Sequence, residues 1–244
     1  MIKFNIITLF PSLFNEHFAN LPFKKAIEKN LAEYNLIDLR NFSTNKYGSV
    51  DDTPYGGGVG MILMIEPIFR ALSEIHGKEK MEERIKNGKS VGKNKKIIVL
   101  SPRGTKFNQK KAEELSKCEE ISIICGRYEG IDARVEKHIA TDVISIGDYI
   151  LSGGEIPALA IMESVTRLLP GILEKEEAVK VESFSSFSKE IFSAEKNKFI
   201  EYPQYTRPEN FLGLKVPKVL LSGNHKEIEK WRKENSKRFE PLKR

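Results

Sequence analysis

The sequence predicts an α/β fold with a mostly parallel sheet. Three successive segments between Lys95 and Leu169 each contain a strand, a turn and a helix. Strands that alternate with helices indicate βαβ units, whose strands run parallel. The strand cores IIVL, ISIIC and VISI are nearly continuous apolar runs, which is typical of strands covered on both faces. We therefore expect helices on both sides of this sheet.

The N-terminal part of the chain supplies two more predicted strands. IKFNIITLF, rich in β-branched and aromatic residues, is the first. A helical stretch begins at Pro11, runs through LFNEHFANLPFKKAIEKNLAEY and is interrupted at Pro22. NLIDLRNF is the second strand, and a polar loop ending in DDTPYGGGVGM follows it. MIEPIFRALSEI is then predicted to be helical, whereas the charge-dense GKEKMEERIKNGKSVGKNKK is predicted to be an exposed, mobile loop.

The three strand–helix units then follow in order. KKIIVLSPRG is a strand and turn before the helix KFNQKKAEELSKC. EISIICGRYEG is a strand and turn before the helical IDARVEKHIA, and TDVISIGDYILSGGE is a strand and loop before the helix IPALAIMESVTRLL. Each turn therefore lies at the carboxyl end of a strand.

The character of the sequence changes after Pro170. EKEEAVKVESFSSFSKEIFSAEKNKF is charged and serine-rich, and is interpreted as a linker. PENFLGLKVPKVLL and GNHKEIEKWRKENSKRF are interpreted as mainly helical, which predicts a small helical C-terminal domain. The expected boundaries are residues 1–173 for the first domain, 174–200 for the linker and 201–244 for the second domain.

Composition limits the class of protein. The 244 residues are 40% hydrophobic, which fits a soluble globular protein with a core, and no apolar run is long enough to span a bilayer. The two cysteines, Cys118 and Cys125, lie in one βα-like segment where we do not expect a disulfide. No Cys/His cluster has metal-ligand spacing, so no metal site is predicted. We expect a reducing cytoplasmic location.

Positive charge is concentrated near the C-terminus. The formal net charge is +6, and residues 201–244 contain eleven Lys/Arg against six Asp/Glu. Such an excess suggests a polyanionic partner such as nucleic acid. The alternative is a solvated basic helix face without a partner.

Glycine-rich turns follow the three parallel strands: LSPRG, CGRYEG and IGDYILSGGE. Turns at the carboxyl ends of parallel strands share one edge of the sheet, where ligands usually bind. Glycines let main-chain groups approach a ligand, and such groups suit adenine, ribose and amino-acid functions. A phosphate site would have a glycine-rich turn entering a helix N-terminus, ideally with a lysine. The turns therefore favour a nucleoside without a phosphate chain; the alternative is that these glycines only make tight turns.

Seven segments, in order, resemble the tRNA (guanine-N1)-methyltransferase family, TrmD, of the SPOUT superfamily. They are DDTPYGGGVGM, LSPRG, CGRYEGID, ISIGDYILSGGE, ESVTRLLPG, YPQYTRPE and PKVLLSGNHKEIEKW. The resemblance implies a deep trefoil knot in the C-terminal part of the sheet domain that binds S-adenosylmethionine. The implied cofactor-binding residues are Leu100, Ser101, Pro102, Gly126, Tyr128, Glu129, Ile146, Gly147, Asp148, Tyr149, Ile150, Leu151, Gly153 and Gly154.

The resemblance also implies the reaction, which is methylation of N1 of the guanosine immediately 3′ of the tRNA anticodon (guanosine 37). The family's general base is an aspartate before Ser-Phe, and here Glu182 stands in that place. A glutamate can be the same base, with its carboxylate displaced by roughly 1.5 Å. Arg167 is expected to stabilise charge on guanine O6 or to orient the substrate, and Glu201 to position the substrate. From the residues alone, a solvated acid or a helix-terminal arginine remains the alternative.

Further residues match family positions that contact tRNA. They are Asp51, Asp52, Gly57, Gly58, Arg127, Tyr205 and Arg207. The resemblance implies a C-terminal domain that grips the anticodon stem-loop, a homodimer with composite sites, and a frequent need for Mg²⁺. A basic RNA-binding protein without catalysis is the alternative function. A conventional Rossmann dehydrogenase is excluded, because the first turn, ITLFPSLF, has no G-x-G-x-x-G.

Overall fold

A computed structural model of the chain describes residues 1–88, 90–174, 182–184 and 199–238. These residues form two compact units, Met1–Ile172 and Leu173–Arg244. No helix in the described ranges combines the length and apolar character needed to cross a membrane.

The first unit is built on a parallel sheet. Its strands are β1 (Ile2–Thr8), β2 (Ala32–Asp38), β5 (Lys95–Lys106), β6 (Glu120–Ile124) and β7 (Asp142–Ser145), while β3 (Asp51–Asp52) and β4 (Ile62–Leu63) form a separate antiparallel pair. The sheet order is β2-β1-β6-β5-β7, and every neighbouring pair runs parallel. The predicted α/β class with a mostly parallel sheet is therefore confirmed.

Helices cover both faces of this sheet. They are α1 (Asn15–Phe18), α2 (Phe23–Glu28), α3 (Ile65–His76), α4 (Lys78–Asn87), α5 (Gln109–Leu115) and α6 (Glu155–Thr166), with 3₁₀ turns at Pro11–Phe14 and Leu39–Phe42. On β5, Ile98 and Leu100 pack with residues of α2, α5 and α6. The alternate residues Ile97 and Val99 pack with α3 and α4. The apolar runs are thus buried on both faces, as predicted.

The prediction for the chain around Tyr34 was wrong in its boundaries. The helical stretch ends at Glu28 rather than at Tyr34, and β2 begins at Ala32, which pairs with Ile2. Tyr34 stacks on Phe4 of β1 with ring centroids 5.2 Å apart. Pairing with β1 therefore decides the conformation of a segment whose helical pattern is only local.

One other local prediction was also wrong. The charge-dense segment predicted as a loop contains α4, which buries Met81 completely and ends at Gly88, in the left-handed conformation. One buried methionine is enough to attach a polar helix to the core. The segment IDARVEKHIA is helical, as predicted, and forms a π-helical turn at Val135–Ile139.

The second unit contains short strands as well as helices. The strands are β8 (Phe199–Ile200), β9 (Asn210–Phe211), β10 (Leu214–Lys215) and β11 (Lys237–Arg238), and the helices are α7 (Lys218–Leu221) and α8 (His225–Asn235). The start of the segment PENFLGLKVPKVLL forms the antiparallel pair β9–β10 rather than a helix. Asn224 begins α8 by accepting a hydrogen bond from Glu227 N. Residues 175–181 and 185–198 of the predicted linker lie outside the described residues.

Candidate functional site

The first wall of the site is an excursion within β5. Leu100 and Thr105 both pair with Ile144 of β7, so the four intervening residues leave the ladder. Gly104 closes this excursion directly against β7, because an added Cβ would lie 2.5 Å from Ile144 N. Only a residue without a side chain permits this approach.

The turns after β6 and before α6 form a second pair of walls in direct contact. Gly154 N donates to Gly126 O at 2.9 Å, and Arg127 and Gly153 form an isolated antiparallel bridge. A Cβ on Gly154 would lie 2.7 Å from Cys125 Cα. The glycines before α6 therefore let one turn lie on the other.

A pocket of about 400 Å³ lies between these turns at the carboxyl edge of the sheet. Its wall contains every residue predicted to bind the cofactor except Asp148. Asp148 instead forms an ion pair with Lys106. The structure thus brings the three predicted turns together, and the volume lies within the usual range of small-molecule sites.

Glycine, proline and aliphatic residues make up more than half of the residues that line the pocket. The ring of Tyr149 lies over Gly147, where an added Cβ would be 2.3 Å from Tyr149 Cε1. The described residues that line the pocket include no lysine, and the two arginines, Arg103 and Arg127, are each paired with a carboxylate. Such a wall suits a neutral heterocycle and sugar better than a chain of phosphates.

Sequence reasoning missed two charged residues of the wall. Arg103 Nη2 and Glu136 Oε1 are 2.7 Å apart, and Arg103 Nε lies 3.4 Å from Glu136 Oε2. Glu136 lies on the π-helical turn, and nothing in the local sequence pattern predicts that its side chain lines the pocket. The other lining residues that were missed are Gly130, Ile131, Ile144, Ser145, Ser152 and Pro157.

Arg127 belongs to a buried network next to the pocket. Its Nη2 lies 2.9 Å from Oε2 of Glu155, which is almost completely buried. Thr8 Oγ1 donates to Glu155 Oε1 at 2.7 Å. The guanidinium also lies over the Phe10 ring, 4.3 Å from its centroid. These contacts fix Arg127 beside the pocket, and the predicted contact of Arg127 with guanine or phosphate stays a prediction.

Cys125 lies behind this network and is chemically protected. Burial, followed by the charge of Glu155, raises the pKa of the Cys125 thiol well above its usual value. The thiol is therefore neutral, and both cysteines are free rather than paired.

The end of the DDTPYGGGVGM segment docks on the turn after β6. Glu129 N donates to Met61 O at 3.1 Å, and Leu63 N donates to Gly130 O at 3.0 Å. Gly60 lies against the Glu129 side chain, where an added Cβ would be 2.6 Å from Cγ. The loop is therefore attached to the pocket wall. Its predicted tRNA contacts, through Asp51, Asp52, Gly57 and Gly58, stay predictions.

Comparisons with known proteins agree with this geometry. A family model described as tRNA (Guanine-1)-methyltransferase TrmD matches residues 2–244. The chain belongs to this family. The prediction from the seven segments, of a tRNA (guanine-N1)-methyltransferase, is thereby confirmed.

Curated relatives cover nearly the whole chain. A tRNA (guanine-N(1)-)-methyltransferase of Clostridioides difficile is 44% identical over 238 residues, which are 98% of this chain and 94% of the relative. That of Carboxydothermus hydrogenoformans is 47% identical over 96% of this chain and 83% of its own length. That of Bacillus subtilis is 43% identical over 100% of this chain and 90% of its own length.

The candidate catalytic residues of this family member lie in different units. Arg167 follows α6 in the first unit, and its backbone N donates to Glu163 O at 3.0 Å. Glu182 lies in the second unit, where the neighbouring Ser183 Oγ accepts a hydrogen bond from Glu201 N at 3.1 Å. This bond places the segments that carry the two predicted carboxylates side by side.

Aromatic rings pack around α8 in the second unit. The Trp231 ring lies 6.3 Å from Tyr202 and 6.2 Å from Tyr205, with tilted, edge-like geometry. Arg232 lies over the Tyr202 ring, 5.0 Å from its centroid. Trp231 is thus a packing residue that holds the YPQYTRPE segment against the basic helix. Arg207, on the same segment, is exposed.

Proposed function

We propose that this chain transfers the methyl group of S-adenosylmethionine to N1 of guanosine 37, immediately 3′ of the tRNA anticodon. Membership of the family supports the enzyme class and the tRNA substrate. The cofactor assignment rests on the pocket itself, where three glycine-rich turns converge at one edge of the sheet. The relatives, all named as methyltransferases, do not favour the alternative of RNA binding without catalysis.

The pocket residues fit the proposed cofactor. The turns approach each other closely at Gly104 and Gly154. We propose that main-chain N–H and C=O groups of these turns bind adenine and ribose. The residues proposed to hold the cofactor are those named from the sequence, with Asp148 acting through its neighbours' backbone. These close passages support a trefoil knot within residues 1–173, joined by the 174–200 linker to a tRNA-binding domain, 201–244.

The chain's own residues must activate guanine N1, which carries a proton and is a poor nucleophile. S-adenosylmethionine supplies a methyl group already activated by its sulfonium charge. Glu182 takes the N1 proton as general base. Arg167 donates hydrogen bonds toward O6, where negative charge develops. The turns that fix the cofactor and the tRNA-binding residues supply orientation.

Substrate tRNA is proposed to contact both units. Asp51, Asp52, Gly57, Gly58 and Arg127 would face the target nucleotide, while Glu201, Tyr205 and Arg207 would position the anticodon stem-loop. A homodimer, in which the second unit of one subunit completes the pocket of the other, is part of the proposal. We also propose a cytoplasmic location, consistent with two free thiols.

The described residues do not offer a protein-built site for Mg²⁺. Within those ranges, no group of three His, Cys, Asp or Glu side chains is arranged to hold a metal ion. Mg²⁺ usually keeps several waters and needs only one or two protein carboxylates, so the need for Mg²⁺ that the family resemblance implies stays a proposal.

The decisive test is Glu182→Gln, assayed for methyl transfer to an anticodon stem-loop with guanosine at the target position. We expect transfer to fall by at least 100-fold, in line with loss of a general base, while S-adenosylhomocysteine binding measured by calorimetry is retained. Glu201→Gln is the matched control, and should raise KM for the RNA more than it lowers kcat. Near-normal turnover by Glu182→Gln would move the base elsewhere, whereas a wild-type chain that binds no S-adenosylhomocysteine would refute the function.

A further inference from the structure

The pocket wall contains one ion pair that the proposed reaction does not use. Arg103 lies on the excursion within β5, and Glu136 lies on the π-helical turn before β7. Their side chains make two N–O contacts, at 2.7 Å and 3.4 Å. The Glu136 side chain is only 14% exposed, whereas that of Arg103 is 64% exposed. The carboxylate of Glu136 is therefore largely buried, and its partner is the guanidinium of Arg103, most of which is in contact with solvent.

The two other charged residues of the pocket wall differ from this pair. Arg127 is paired with Glu155, which does not line the pocket, and its guanidinium lies over the Phe10 ring. Glu129 already belongs to the predicted cofactor site, and its side chain lies against Gly60 of the docked loop. Arg103 and Glu136 are therefore the oppositely charged side chains of the described pocket wall that are paired with each other.

This pair can open to a ligand that replaces both partners. The exposed guanidinium can turn toward solvent, whereas the largely buried Glu136 carboxylate needs a new cation once the pair opens. A ligand carrying both a carboxylate and an ammonium group can replace each partner with its own charge. The guanidinium presents two parallel donors that match a carboxylate, and the glutamate presents acceptors for an ammonium.

We propose that Arg103 and Glu136 form the subsite for the α-amino-carboxylate end of S-adenosylmethionine. Arg103 binds the carboxylate, and Glu136 binds the ammonium group. The inference rests on the proposed function, since it needs this ligand in the pocket. It follows from charge: in the described pocket wall, Arg103 and Glu136 offer a cation and an anion side by side, whereas Arg127 is paired with Glu155 outside the wall.

Two ligands that differ only in this end provide the test. S-adenosylhomocysteine carries the amino-acid group, and 5′-methylthioadenosine has the same nucleoside thioether without it. Calorimetry on the full chain should show that Arg103→Gln and Glu136→Gln each weaken S-adenosylhomocysteine binding by about 10- to 100-fold, as expected for a lost hydrogen bond to a charged group. Binding of 5′-methylthioadenosine should change by less than about twofold.

Arg134→Gln is the matched control. Arg134 also forms an ion pair with a carboxylate, Asp132, at 2.6 Å, and is 60% exposed, but it does not line the pocket. This variant should bind both ligands like the wild type. An equal loss of affinity for the two ligands in the Arg103 or Glu136 variants, or no loss for either, would overturn the subsite.

A charge-swapped double variant separates binding from a purely structural role. Arg103→Glu with Glu136→Arg keeps an ion pair but exchanges its ends. If the ion pair only stabilises the pocket wall, the double variant should bind S-adenosylhomocysteine with wild-type affinity, and this result would overturn the proposal. If the double variant still binds S-adenosylhomocysteine weakly but binds 5′-methylthioadenosine normally, the proposal is supported. A wild-type chain that binds neither ligand would refute the proposed function together with the subsite.

Discussion

Gly104 shows how a single residue can control the path of two strands. An added Cβ would lie within 2.6 Å of Val143 C and of both N and C of Ile144, which are backbone atoms that cannot rotate away. We predict that Gly104→Ala lowers the free energy of unfolding by about 1–3 kcal/mol, the usual cost of overpacking. Urea denaturation measures this change, and calorimetry should show weaker S-adenosylhomocysteine binding.

Gly126→Ala is the control for this prediction. The nearest atoms to its added Cβ are 3.5 Å away, which is ordinary van der Waals contact. Its free energy of unfolding should change by less than that of Gly104→Ala. Equal stability of wild type and Gly104→Ala would show that β5 and β7 have room to separate.

His76 predicts a pH dependence of stability. Its Nε2 shares a hydrogen bond with Ser122 Oγ at 2.9 Å, and burial lowers the pKa of His76 below 6.5, an effect that Glu120 partly opposes. Below pH 6.5 the unfolded chain binds a proton that the folded chain resists. The free energy of unfolding should therefore decrease as pH falls from 6.5 toward the folded pKa, by at most about 1.4 kcal/mol per pH unit.

Urea denaturation between pH 7.5 and 5.5 tests this dependence against His76→Gln. Between these pH values, the free energy of unfolding of the variant should depend less on pH than that of the wild type. The variant should also be less stable at pH 7.5, because the substitution disturbs a buried hydrogen bond. Parallel pH profiles for the two proteins would assign the slope to other groups.

The limits of sequence analysis differ from residue to residue. The resemblance placed Gly126, Gly153 and Gly154 in the pocket, because their motifs are continuous. It gave no sign of Glu136, which lies outside every motif, or of the partnership between Thr8 and Glu155, which are 147 positions apart. Such contacts depend on the sheet order, which is not encoded in local spacing.

Helix α4 predicts a large effect from one apolar residue in a polar segment. Met81 is completely buried against the second face of the sheet, while Ile85, one turn later, is 40% exposed. Met81→Ala should lower the free energy of unfolding by about 2–4 kcal/mol. Ile85→Ala should cost less than about 1 kcal/mol, since it already contacts water. Similar values for both variants in urea denaturation would mean that α4 is not anchored to the core.

The sequence predicted helices and strands better where consecutive residues are buried than where an element buries only one or a few side chains. The strands β5, β6 and β7 could be predicted from their apolar runs, because both faces of each strand are covered. The many charges of α4 led to the prediction of a loop, although the helix is attached to the core mainly through Met81. The helical pattern before Tyr34 led to the prediction of a helix where β2 begins. In each case long-range packing outweighed local composition.

At the scale of the whole molecule, the basic excess near the C-terminus predicts a salt-dependent affinity for tRNA. Lys230 on α8 is exposed. If it contacts a phosphate, Lys230→Gln should reduce the slope of log affinity against log salt by about 0.7–0.9. Lys78→Gln, on the exposed start of α4, is the control and should leave the slope unchanged. Filter binding across a salt series measures both; identical slopes for wild type and Lys230→Gln would exclude this contact.

The strand order has a consequence for biosynthesis. β1 ends at Thr8 and pairs on one side with β2, but its other neighbour, β6, begins only at Glu120. At about 5–20 residues per second, a ribosome needs on the order of ten seconds to make the intervening chain. If β1 and β2 pair during that interval, the nascent protein presents an open strand edge, a template for association with other chains. Coverage of that edge, by a chaperone or by the ribosome surface, would then protect the chain until β6 is made.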